Sequence, residues 1–129
     1  MDELREQVKS GDSKAKQKLW RRYCDFSQEE IETMANSGDA YAECMLGDKF
    51  EGDENYIDAA IWYQKSADKG FDKGQFGLGL LYIQGCGVKK DVRKGIELLK
   101  ASYAQGNGDA AEQLVMLEEE GLVEAGSWL

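Results

Sequence analysis

Three stretches of this chain repeat one another, and that recurrence limits the fold more than any other feature. A glycine is followed four residues later by an alanine or glycine, and four residues after that by a leucine. The copies are Gly38, Ala42 and Leu46; Gly70, Gly74 and Leu78; and Gly106, Ala110 and Leu114. A blurred fourth copy stands upstream at Gly11, Ala15 and Leu19. From Gly38 to Gly70 is 32 residues and from Gly70 to Gly106 is 36. Self-similarity at such a period means one supersecondary unit stacked on copies of itself. Within each copy the small residue lets neighbouring helices approach, and the leucine four further on fills the space beside it.

Cap and stop residues divide the chain into helices. Leu4 and Val8, then Ala15, Leu19, Trp20 and Tyr23, suit two amphipathic segments near the N-terminus. Ser27-Gln28-Glu29-Glu30 is a capping-box signature ahead of Ile31, Met34 and Ala35, and Asn36-Ser37-Gly38 stops that helix. Asp39 opens the next, with Ala42, Leu46 and Phe50 on one face. Asn55 or Asp58 starts its partner, which carries Ala59, Trp62, Tyr63 and Ala67 as far as Gly70. The plan then recurs. Gly74, Leu78, Leu81 and Tyr82 line one helix; Ile96, Leu98, Leu99 and Tyr103 line the other, ending at Gly106. A last helix holds Ala110, Leu114 and Leu117 and stops near Gly121, while the tail 122–129 has Val123 and Trp128 but no clear period. The expectation is one all-α repeat domain, an α/α superhelix of antiparallel helix-turn-helix units. Its parts are degenerate helices over 1–37, repeats over 38–70 and 71–106, a capping helix over 107–121, and a tail.

Composition removes several kinds of chemistry. There is no histidine, so Ser–His–Asp and Cys–His catalysis, imidazole metal sites and a histidine pH switch are all excluded. The net charge of −9 opposes a nucleic-acid partner and favours basic or apolar ones. Cys24, Cys44 and Cys86 form no C-x-x-C pair, and their odd number suits a reducing compartment. The opening Met1-Asp2-Glu3-Leu4-Arg5-Glu6 lacks the apolar core of a signal peptide, and no apolar run reaches membrane-spanning length. Cytoplasmic residence is the expectation, although secretion without a cleaved signal would leave no trace.

The segment Leu78-Gly79-Leu80-Leu81-Tyr82, continuing through Gly85-Cys86-Gly87-Val88 to Asp91 and Lys94-Gly95, resembles the Sel1-like repeat family of tetratricopeptide-related α-solenoids. Residues 70–106 follow that family's pattern, with Gly95 and Leu98 where it has alanine and tryptophan. Residues 38–70 match at Leu46-Gly47 and over Ala59-Ala60-Ile61-Trp62-Tyr63, but lack four residues of the hairpin loop. The resemblance implies a right-handed superhelix that acts as an adaptor or scaffold for other proteins. Some secreted members pair cysteines within each repeat and are associated with β-lactam binding. This chain lacks those pairs, so that activity is not carried over.

Other conspicuous residues have ordinary structural roles. Gly85-Cys86-Gly87 follows no strand and lacks a third glycine, so it reads as a turn between antiparallel helices, not a phosphate loop. Glu29-Glu30 and Glu118-Glu119-Glu120 read as solvated faces. Cys24 and Cys44 read as small thiols within helices. By the resemblance Trp62, Tyr82 and Phe50 occupy packing positions, so Trp62→Ala should cost about 3–5 kcal/mol.

In related helical-hairpin solenoids the first helix of each pair lines a concave groove. Carried over, that groove takes Lys14, Gln17 and Arg21, then Tyr41, Cys44 and Asp48. Lys73, Phe76, Leu80 and Ile83 follow, then Asp109, Glu112 and Met116. Phe76, Leu80 and Ile83 make their helix apolar nearly all round. Either its neighbours or the tail bury it on both sides, or it presents a docking patch. The functional expectation is a non-enzymatic interaction module without cofactor or metal. It would bind a protein or peptide with apolar and basic residues through Tyr41, Asp48, Lys73, Phe76, Leu80, Ile83, Asp109, Glu112 and Met116. The alternative is a small acidic inhibitor or immunity-type protein that blocks a basic enzyme, recognisable by one tight, salt-sensitive partner. Self-association through the tail is a further option.

Overall fold

The computed structural model describes residues 26–128, so the expectations for 1–25, including Lys14, Gln17 and Arg21 of the groove, lie outside the described residues. Six helices follow one another and no strand occurs among the described residues: α1 Gln28–Asn36, α2 Ala40–Gly52, α3 Tyr56–Asp68, α4 Asp72–Gln84, α5 Val92–Ala104 and α6 Gly108–Glu119. Each packs on its sequence neighbour, from α1 against α2 through α5 against α6. In addition, α2 touches α4. Alternate contacts of this kind build a solenoid rather than a closed bundle.

Local chemistry sets the helix ends. The Ser27 hydroxyl accepts from the Glu30 amide while Glu30 accepts from the Ser27 amide, closing the expected capping box. Asp39, Asn55, Asp91 and Asn107 each accept from backbone amides in the first turn of α2, α3, α5 and α6. Phe71 precedes α4 without a side-chain cap. It instead packs its ring 4.3 Å from Tyr41. After α4 the chain turns through Gly85 and Gly87, both with positive φ. A side chain at Gly87 would strike the Tyr56 carbonyl at 2.2 Å, so this loop lies directly on the start of α3. The glycine loop is therefore a packed turn.

Ala42, Gly74 and Ala110 are each the third residue of their helix, and all are buried. A Cβ at Gly74 would meet Ser66 Oγ at 2.6 Å, which shows how closely α3 and α4 approach. A polar device recurs beside these contacts. Ser66 Oγ donates to the Ala40 carbonyl and Ser102 Oγ to the Asp72 carbonyl, each at 2.8 Å. Both serines are fully buried, so each tie satisfies a hydroxyl that would be costly to leave unpaired. The composition gave no hint of it.

Two apolar clusters form. One joins Ile31, Ala42, Leu46, Ala59, Tyr63, Leu78 and Leu81 across α1–α4; the other joins Ile96, Leu99, Ala110, Leu114 and Leu117. Phe76, Leu80 and Ile83 pack against the second cluster while Leu78 and Leu81 serve the first, so α4 is apolar all round because it is shared between two cores. Trp62 needs correction: it is half-buried beside the first cluster, and the fully buried aromatic is its neighbour Tyr63. Lys65 Nζ sits 4.3 Å above the Trp62 ring. The expected large loss therefore moves from Trp62 to Tyr63.

The tail is attached. Val123 and Trp128 join the second cluster, and the Trp128 ring meets Tyr103 edge-on at 4.9 Å. Glu118 accepts from the Gly126 amide and from Trp128 Nε1, so this member of the acidic run is a tether for the tail and not simply a solvated charge.

Candidate functional site

Helices α2, α4 and α6, the first (A-type) helix of each repeat unit, line a cleft of about 270 Å³. Phe76, Gly77 and Leu80 of α4 give it apolar walls. Asp48 and Glu51 come from α2, Tyr63 from α3, Lys73 from α4, and Asn107 and Asp109 from the start of α6. The spacing of Phe76 and Leu80 (i, i+4) puts both on one side of α4, and that of Asp48 and Glu51 (i, i+3) does the same on α2.

Tyr63 organises the acidic side. Its ring fits between two glycines on different helices. A Cβ at Gly47 would lie 2.5 Å from ring carbon Cδ1, and a Cβ at Gly77 would lie 2.7 Å from Cε1. No larger residue fits either place without moving the ring. Held there, the hydroxyl reaches Asp48 Oδ1 at 2.5 Å and Glu51 Oε2 at 2.6 Å. Burial, with the two carboxylates it touches, pushes the Tyr63 phenol far above its ordinary range. Although Asp48 as a residue is exposed, its carboxyl is turned inward and its pKa is raised. Burial is the main cause and Glu51 adds to it, while the Tyr63 hydrogen bond and Lys73 oppose it. One turn earlier Cys44 is fully buried, and burial foremost pushes its thiol well up, which keeps it neutral and unreactive.

Of the nine residues expected to form the groove, five come together here: Asp48, Lys73, Phe76, Leu80 and Asp109. The other four lie elsewhere. Tyr41 is buried against Phe71 in the first core, because position 41 faces the start of α4 and not the cleft. Ile83 covers Gly95 of α5, where an added Cβ would sit 2.5 Å from Ile83 Cγ1. Glu112 and Met116 are exposed on α6 outside the cleft. Cys44, on the carried-over face, is a core residue. Glu51, Tyr63 and Asn107 were missed. Glu51 was legible as the acid one turn beyond Asp48. Tyr63 was not, because its function depends on the two glycines that flank its ring.

A larger depression of about 450 Å³ lies between α5 and the tail. Its charged residues are Arg93 and Lys100 against Glu97 and Glu124, so it has no net preference for a charged ligand. Among the described residues no group of histidine, cysteine and acidic side chains is arranged to hold a metal ion, and no helix is long and apolar enough to cross a membrane.

Comparison with known proteins agrees with the geometry. The Sel1 repeat matches residues 40–71 and again 72–107, breaking between α3 and α4 just where one helical hairpin gives way to the next. The chain is also similar to the solved structure of a protective antigen present in uropathogenic Escherichia coli strains and displaying an SLR fold. Identity is 28% and the TM-score 0.68, over 93% of this chain but only 28% of that protein. The chain thus spans little more than a quarter of that relative's length. With two matched repeats covering more than half of its residues, and the hairpin stack to go with them, this chain belongs to the Sel1 repeat family.

Proposed function

We propose that this protein is an interaction module whose cleft between α2, α4 and α6 receives a segment of a partner protein carrying an apolar residue next to a lysine or arginine. Sel1 repeats as a class are non-catalytic scaffolds for protein–protein interaction, which supports the general reading. The single observation behind the specific one is the company kept by Phe76 and Leu80. They share one concavity with Asp48, Glu51 and Asp109, against a lone lysine, Lys73. An apolar anchor ringed by carboxylates complements a mixed apolar–basic segment and repels an acidic one.

The test compares peptides of alternating leucine and lysine with peptides of alternating leucine and glutamate, by fluorescence anisotropy. Binding of the basic series should weaken roughly tenfold with Asp109→Lys and less with Asp109→Asn, at unchanged helical content. Equal binding of both series, or indifference to both substitutions, would refute the assignment. Leu80 and Ile83 both pack on the second core, so truncating either would damage the fold as well as the anchor.

A further inference from the structure

The junction of Asp48, Tyr63 and Glu51 has more hydrogen-bond contacts than ordinary protons to fill them. Tyr63 Oη is 2.5 Å from Asp48 Oδ1 and 2.6 Å from Glu51 Oε2. A phenol has one hydrogen to donate and lone pairs to accept with, whereas an ionised carboxylate can only accept. Its hydrogen therefore serves one of the two contacts. The other brings two oxygens to hydrogen-bond distance and needs a hydrogen of its own, carried by a carboxyl that donates to Tyr63 Oη. Sharing the single phenol hydrogen between both acceptors would lengthen both contacts, and both are short.

We propose that Asp48, Tyr63 and Glu51 together hold one proton beyond the phenol's own, so that pH sets the charge of the cleft. With the proton in place, Tyr63 donates to one carboxylate and accepts from the other carboxyl, and the junction bears one negative charge. When the proton leaves, two carboxylates compete for one hydrogen. One is released towards the cleft, which gains a negative charge available to a lysine or arginine side chain. Lys73 on α4 acts on the Asp48 carboxyl, Asp109 lines the cleft opposite on α6, and Cys44, one turn back on α2, lies within reach of Asp48 and Glu51 as well as of Asp72 on α4. Lys73 favours the ionised state and Asp109 opposes it, while the neutral thiol of Cys44 leaves the balance alone. The raised pKa of the Asp48 carboxyl agrees with the proton residing mainly there, although two sites this close titrate as a pair. The consequence for ligand capture rests on the docking reading above; the proton itself does not.

The test is a side-chain carboxyl carbon-13 NMR titration of the free protein from pH 3 to 8, beside anisotropy with a fluorescein-labelled leucine–lysine peptide. One carboxyl of the pair should titrate above the ordinary carboxylate range near 4. Peptide affinity should rise several-fold across that same pH window. In Asp48→Asn the amide can donate to Tyr63 Oη as the acid does, so the fold should persist. The raised carboxyl titration should then disappear, and peptide affinity should no longer change across that window. If both carboxyls of the wild type titrate near 4, the shared proton is refuted whatever the peptide does. If the high midpoint is present but affinity is flat with pH, the control of the cleft by that proton is refuted. A high midpoint with no capture at any pH upholds the shared proton and sinks the docking reading instead.

Discussion

The two matched repeats place different chemistry at equivalent positions. Advancing 32 residues from α2 to α4 turns Gly47, Asp48 and Glu51 into Gly79, Leu80 and Ile83; advancing 36 from α3 to α5 turns Tyr63 into Leu99. In the second repeat Gly79 lets α5 come in until an added Cβ would be 3.0 Å from the Gly95 carbonyl oxygen. The hairpin there closes backbone to backbone, and Leu80, Ile83 and Leu99 feed an apolar core. In the first repeat Gly47 makes room for a ring, and the ring carries a hydroxyl to two carboxylates. The same repeat position thus serves apolar packing in the second repeat and a polar junction in the first. A stack of hairpins tolerates such exchange because each unit needs only its immediate neighbours.

The strongest way to break this comparison is to empty the equivalent positions. Tyr63→Ala should cost about 3–5 kcal/mol and Leu99→Ala about 2–5. Tyr63 should lie towards the upper end, since its loss also strips two carboxylates of their partner. Urea unfolding of both variants checks this, and a clearly larger loss at Leu99 would deny Tyr63 its central place.

Gly47→Ala and Gly77→Ala come next, at about 1–3 kcal/mol each, because a methyl collides with a ring that has no free side to move to. Gly52→Ala is the control. Nothing lies within 4 Å of its Cβ site, and the substitution should stabilise by up to about 1 kcal/mol. Thermal melts of the three variants should therefore move in opposite directions.

Ser66→Ala and Ser102→Ala sharpen the point from the other side, because here the repeats are alike. Each should lose about 1 kcal/mol, and the two losses should agree within about 0.5. Smaller again is the effect of pH through Asp48. Its folded pKa is raised, so the stability tied to its proton is complete below the ordinary carboxylate value of 3.8 and is lost as pH climbs through the folded one. Melts of wild type and Asp48→Asn should accordingly diverge on going from pH 4 towards neutrality, with the wild type falling. The least global effect belongs to Trp128→Ala. Amide exchange over 121–128 should speed up while the melting of the stack scarcely changes, because the tail only covers the second core.

Much of the architecture was legible because it depends on local chemistry. Ser27, Asp39 and Asn55 cap helices by their own side chains, and a small residue three positions into each A-type helix announces close approach wherever it recurs. The cleft was legible in part. Phe76, Leu80, Lys73, Asp48 and Asp109 fall on the groove-lining positions that the resemblance to helical-hairpin solenoids implies, at a common spacing along their helices. Tyr41 and Ile83 share that spacing, yet turn to Phe71 and to Gly95. Periodicity gives the angle of a side chain about its helix, not which neighbour covers it.

What the amino-acid order determined by itself was the repeating unit, its helix ends and its all-α stacking, since caps, turn glycines and i, i+4 patterns act over a few residues. The tertiary structure alone decided that Tyr63 and not Trp62 is buried, that α4 is shared between two cores, and that two carboxylates meet on one phenol. Those outcomes depend on distances between residues far apart in the chain, and such distances are fixed only when neighbouring helices have docked.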